Sequence, residues 1–125
     1  MRFLSTKVHG LLDYLGGITI VLSPFLFWTT AMEADLWVPV IMGAALILVS
    51  VWTDYEWGAF KSISMRSHLA IDTIAGVLLA ASPWLFGFAD VVYWPFVIFG
   101  LFEIGSALIT KKEPGRRGKL GPATL

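Results

Sequence analysis

The sequence predicts an all-α protein, a four-transmembrane-helix bundle made of two tandem two-helix repeats in parallel orientation. Three observations predict it. Of 125 residues, 57% are hydrophobic and 14% charged, whereas soluble domains carry about a quarter charged residues. The run from Leu69 to Thr110 holds no basic residue, and a soluble chain of this size could not cover so much apolar surface. Second, the pattern recurs 59 positions on. His9, Asp13, Gly17, Ser23, Pro24, Leu26 and Phe27 become His68, Asp72, Gly76, Ser82, Pro83, Leu85 and Phe86, which marks a tandem duplication. Third, all nine basic residues fall in the N-terminal lead, the middle loop or the tail. An even number of helices with basic segments on one side places both termini in the cytoplasm of a plasma (inner) membrane.

The elements follow in order. The first apolar run covers about 9–29, long enough to span a bilayer core. A basic start and small residues near Ala31 mimic a signal peptide. Its counterpart at about 68–88 is internal, so both read as retained helices. Glu33 and Asp35 lie in a short acidic turn, where Asp35 is placed to cap the second helix, about 36–53. Pro39 falls in that helix's tolerated first turn. Gly43, Ala44 and Ala45 give it a small-residue face. The stretch 54–67 reads either as a short interfacial helix, with Trp57, Phe60 and Ile63 spaced by three, or as an ordinary loop. Ser67 is placed to cap the third helix. Gly87 to Asp90 allows a tight turn, and the fourth helix covers about 91–110. Thr53 and Glu56 recur as Thr110 and Glu113. Residues 1–61 form the first repeat, 62–113 the second, and 114–125 a basic, flexible tail suited to anionic lipid. Trp28, Trp37, Trp84 and Trp94 fall at the outer interface, and Trp52 and Trp57 at the inner one. Gly17 and Gly76 are expected where the first and third helices approach closely.

Ser23-Pro24-Phe25 and Ser82-Pro83-Trp84 sit late in the first helix of each pair. Proline removes an N–H and clashes with the carbonyl four residues back, while serine before proline is also a helix start. Each helix is therefore either kinked there or stops near Leu22 and Ala81. Tandem apolar helix pairs with this motif resemble the SPW-repeat family of small integral membrane proteins, over roughly residues 7–110. The resemblance implies a membrane location and no particular activity. Phe25 in place of tryptophan keeps a ring but loses the indole N–H.

The candidate polar cluster is His9, Asp13, His68, Asp72 and Glu103. Each His-x-x-x-Asp pair shares one helix face. All five groups lie at similar depth, and intramembrane acids usually face the interior. The expected use is local: His9 satisfies Asp13, His68 satisfies Asp72, and a neighbouring-helix donor satisfies Glu103. A proton or cation path, a metal site of two histidines with two or three carboxylates, and a haem between the histidines are the alternatives. The absence of cysteine removes disulfides, thiol nucleophiles and thiolate metal sites. No phosphate loop, nucleophilic triad or nucleic-acid motif is present. We therefore expect no catalytic residue, metal or cofactor, and no nucleic-acid partner. The partners expected are the lipid bilayer and other copies of the chain, with any small-molecule or ion ligand unknown. The function expected is that of a non-enzymatic structural or accessory membrane component, with a small proton- or cation-coupled transporter as the alternative.

The topology carries a prediction. Single cysteines at Ser62 and Thr124, in a chain with no native thiol, should resist an impermeant maleimide applied to intact cells and react after lysis. Labelling of either from outside would reverse the orientation.

Overall fold

The computed structural model describes residues 1–28 and 33–115. The basic tail from residue 116 on, the small residues near Ala31 and the labelling position Thr124 lie outside the described residues. Four helices follow in order: α1 (Thr6–Leu26), α2 (Ala34–Trp52), α3 (Met65–Leu85) and α4 (Trp94–Ile109). Three are long and apolar enough to cross a membrane, and α4 is a shorter apolar helix.

α1 and α3 begin three residues before the apolar runs expected to start them. The serines there set the boundary. The Ser5 hydroxyl accepts from Val8 N and the Ser64 hydroxyl from Ser67 N, each relieving one of the orphan amides of a first turn. Ser67 is therefore inside α3 and is not its cap. Asp35 is likewise inside α2, accepting from Glu33 N. Within residues 53–64 no helix forms. Asp54 N and the amides of Ser62 and Ile63 exchange bonds with Ile63 O and Trp52 O, and the chain folds back along the end of α2.

The Ser-Pro step neither stops nor restarts a helix. Pro24 and Pro83 lie in the last turns of α1 and α3. A proline leaves the carbonyl four residues earlier without its amide partner. Those carbonyls belong to Ile20 and Leu79, and the Ser23 and Ser82 hydroxyls donate to them at 2.7 Å. Serine supplies the proton that proline lacks, inside an apolar medium where no water can. Phe27 N and Phe86 N close the helix ends on Ser23 O and Ser82 O.

α1 packs on α2, α3 on α4, and the α2–α3 and α1–α4 contacts close the bundle. The glycines explain the tight pairs, and they correct an expectation. Gly17 does not meet Gly76. A Cβ on Gly17 would sit 3.0 Å from Gly43 O, and one on Gly76 would sit 2.8 Å from Gly100 O. The small residues thus join consecutive helices within each hairpin, where a short turn already forces neighbours together. α1 and α3 stand diagonally and meet through polar side chains. An apolar core of Ile20, Leu46, Leu79, Phe88, Val92 and Phe96 fills the bundle toward the α1–α2 and α3–α4 turns. At the other end both termini converge: Phe3 N and Leu4 N donate to Ile109 O, Lys111 N donates to Leu4 O, and Arg2 Nη1 donates to Ala107 O and Thr110 O.

The Ser-Pro arrangement predicts a coupling. Ser82→Ala should destabilise the detergent-solubilised protein by about 1 kcal/mol, the worth of one hydrogen bond. In a Pro83→Ala background the same change should cost less, because the new amide can serve Leu79 O. A double-mutant cycle read by denaturant unfolding measures this; equal costs in both backgrounds would break the link.

Candidate functional site

The ends of α1 and α3 nearer the termini carry the expected cluster, and the structure brings it together. His9, Asp13, His68 and Asp72 are all buried to 2% exposure or less. The pairing, however, runs mainly between the hairpins. His68 Nε2 lies 2.7 Å from Asp13 Oδ2 and 3.0 Å from Asp72 Oδ2. His9 Nε2 lies 2.9 Å from Asp72 Oδ2 and 3.2 Å from Asp13 Oδ1. Helical spacing stacks each histidine over its own aspartate. Because the two faces meet at equal depth, each ring reaches the opposite acid at least as closely as its own. The expectation of two local pairs is corrected to one ring of four side chains, histidine alternating with aspartate, in which Asp13 uses both of its oxygens. The two imidazoles meet edge to face with centroids 5.4 Å apart.

The other ring nitrogens fix the tautomer. Thr53 Oγ1 lies 2.7 Å from His68 Nδ1, and Thr110 Oγ1 lies 2.8 Å from His9 Nδ1. Each threonine hydroxyl donates its proton to a backbone carbonyl, Val49 O or Ser106 O, at 2.6 Å. The threonine oxygens are left as acceptors, so each Nδ1 carries a hydrogen and each Nε2 is turned to the carboxylates. Ser50 completes the set by donating to Asp13 Oδ2 at 2.9 Å. Tyr55, 1% exposed, covers this end with its ring centroid 5.8 Å from that of His68. A side chain at Gly10 would collide with that ring. Burial pushes the Tyr55 hydroxyl well above the usual tyrosine range.

Sequence reading missed Ser50, Thr53, Thr110 and Tyr55 as members of the site. One signal was available. Thr53 and Thr110 recur 57 positions apart, and polar residues recurring at the ends of apolar helices need partners. The same register carries Ser50 to Ala107 and Leu46 to Glu103, and both departures leave a mark. Asp13 has its serine; the matching position in the second hairpin is Ala107, and Asp72 Oδ1 is buried with no hydrogen-bond partner among the described residues. Glu103 stands where the other hairpin has a core leucine. It lies between Gly16 on α1 and Gly76 on α3, and its Oε2 is also buried without a partner among the described residues. Among the described residues no neighbouring-helix donor meets that oxygen, contrary to expectation.

Thirteen buried polar or charged side chains outnumber eleven buried apolar ones among the described residues, while Leu11, Leu15, Ile18, Ile41, Ile74 and Leu101 are exposed. This is the reverse of a water-soluble fold and the arrangement expected where lipid is the solvent. The fold and its polar centre are those of a multi-pass membrane protein. The chain belongs to the SPW repeat domain family, whose model matches residues 7–110, as the resemblance read from Ser82-Pro83-Trp84 implies. No curated protein and no solved structure matches the chain.

Ala107→Ser should restore the missing donor beside Asp72 and raise stability by about 1 kcal/mol, measured as for Ser82. By contrast, Asp13→Ala should cost about 3–5 kcal/mol, because it strands two buried histidines. A neutral Asp13→Ala would show that the ring does not hold the bundle.

Proposed function

We propose that this protein is a non-enzymatic structural or accessory component of a bacterial-type plasma membrane, with both termini cytoplasmic, that associates with copies of itself. The observation that carries the reading is the cross-paired ring. Its four side chains join α1 to α3 and are almost fully buried. Along the helices the grooves are apolar, one of about 250 Å³ lying between α2 and α3 beside Met42, Leu46, Val49, Ile71 and Leu78, while a smaller one at the end holding the termini is lined by Arg2, Arg66 and Lys112. The recurrence at 59 residues supports two repeats running in the same direction, related by an axis along the membrane normal. Arg2, Lys7, Lys61, Arg66, Lys111 and Lys112 gather at the end holding the termini, which supports the orientation. Exposed Ala44, Ala45 and Gly105 leave room for another helix to approach closely.

One observation favours a second reading. Glu103 is a buried acid whose Oε2 has no partner among the described residues, one turn deeper than the ring, and such groups mark proton or cation routes in membranes. A small proton- or cation-coupled transporter would use it. Purified protein in liposomes carrying a pH-sensitive dye separates the two readings. Neither the wild type nor Glu103→Gln should pass protons or alkali cations, and both should stay folded. Wild-type flux that Glu103→Gln abolishes would replace the structural reading with the transport one.

A further inference from the structure

We propose that His9, Asp13, His68 and Asp72 form a binding site for one divalent transition-metal ion, held by the two Nε2 atoms and one oxygen of each carboxylate. This goes beyond the structural reading above. The ring of side chains would clasp α1 to α3 with or without a metal.

Geometry is the first support. The four ligand atoms lie within 4.8 Å of one another. Asp72 Oδ2 lies 3.0 and 2.9 Å from the two Nε2 atoms, and Asp13 lies 2.7 Å from His68 Nε2 through Oδ2 and 3.2 Å from His9 Nε2 through Oδ1. A tetrahedral ion with bonds of about 2.0–2.1 Å sets its ligands about 3.3 Å apart. To hold such an ion the short nitrogen–oxygen contacts must open and the widest separations, up to 4.8 Å, must close, a change made by rotating the four side chains.

Orientation is the second. A ligating histidine gives its other N–H to an acceptor that fixes its ring. Thr53 and Thr110 already hold both Nδ1 atoms in this way, and their own protons are committed to backbone carbonyls. Both Nε2 atoms are thereby aimed at one point.

The third support is an oxygen that the ring contacts leave unused. Asp72 Oδ1 and Glu103 Oε2 are buried and lack partners among the described residues, and Asp72 is 1% exposed. A buried oxygen without a donor costs free energy, and a cation held beside this carboxylate would offset that cost electrostatically. A metal ion would displace the protons that the Nε2 atoms share with the carboxylates, and the two carboxylates then carry the charge that one divalent cation cancels. Two imidazoles with two carboxylates suit zinc, cobalt or iron better than calcium or magnesium, which prefer oxygen alone.

The test uses the full chain in detergent, its affinity tag removed and its metals stripped with chelator. The chain has two histidines and no cysteine, so nitrogen ligation can come only from this site. Zn²⁺ should bind at one ion per chain by mass spectrometric metal analysis. Co²⁺ should give the intense visible absorption of a tetrahedral centre, displaced by Zn²⁺. Thr53→Val with Thr110→Val should keep the ligands and weaken Zn²⁺ binding by about 10–100-fold. His9→Gln with His68→Gln should abolish the cobalt spectrum. Helical circular dichroism checks the fold of each variant, and if the histidine variant unfolds, the wild-type spectrum and stoichiometry decide alone. No bound Zn²⁺, a weak octahedral cobalt spectrum, or binding that survives loss of both histidines would overturn the site. Failure here with Asp13→Ala still costly would leave the structural clasp standing.

Discussion

Two imidazoles wedged between two carboxylates are the constraint on which the bundle depends. Lipid offers no hydrogen bonds, so every polar group carried into it must be met from within the protein. Between α1 and α3 the ring meets four such side chains at once. Its members come from both hairpins, so neither hairpin can satisfy them alone. The glycine contacts, Gly17 with Gly43 and Gly76 with Gly100, make each hairpin; the ring makes the hairpins one molecule. Apolar packing from Ile20, Leu79 and Phe96 fills the remaining length but selects no partner, because lipid tails are as apolar as leucine.

The same rule acts on the backbone. Pro24 and Pro83 each free a carbonyl inside an apolar helix, and the preceding serine answers it. Arg2 does likewise at the end of α4, where its guanidinium takes Ala107 O and Thr110 O. Side chains that would look incidental in water are here repairs to main-chain bonding.

Much of this was legible in the sequence. Four helices, their order and the convergence of His9, Asp13, His68 and Asp72 follow from apolar runs, the 59-residue recurrence and the i, i+4 rule. What was hidden has a common cause: periodicity names the face of a helix and not what it meets. It could not say that His68 would reach Asp13 more closely than Asp72 does, or that Gly17 would find Gly43. Helix starts were misplaced because hydrophobicity reports where lipid begins, whereas Ser5 and Ser64 set where hydrogen bonding begins. Tyr55 was invisible because it lies in a loop whose fold depends on bonds between Trp52 and Ile63. The departures at Ala107 and Glu103 were readable only once Thr53 and Thr110 were known to serve one role.

The cross-pairing also imposes an order on synthesis. Asp13 and His68 are 55 residues apart in the chain, and α1 leaves the ribosome well before α3. Until α3 arrives, Asp13 has only its own His9 and the Ser50 hydroxyl of the following helix. His9 waits longer still for Thr110, the last residue of the site to be made. The first hairpin therefore enters the bilayer with its polar face unfinished, and the second completes it on arrival. Ser50 belongs to that first hairpin, whose acid must wait; Ala107 belongs to the second, whose acid meets a partner at once.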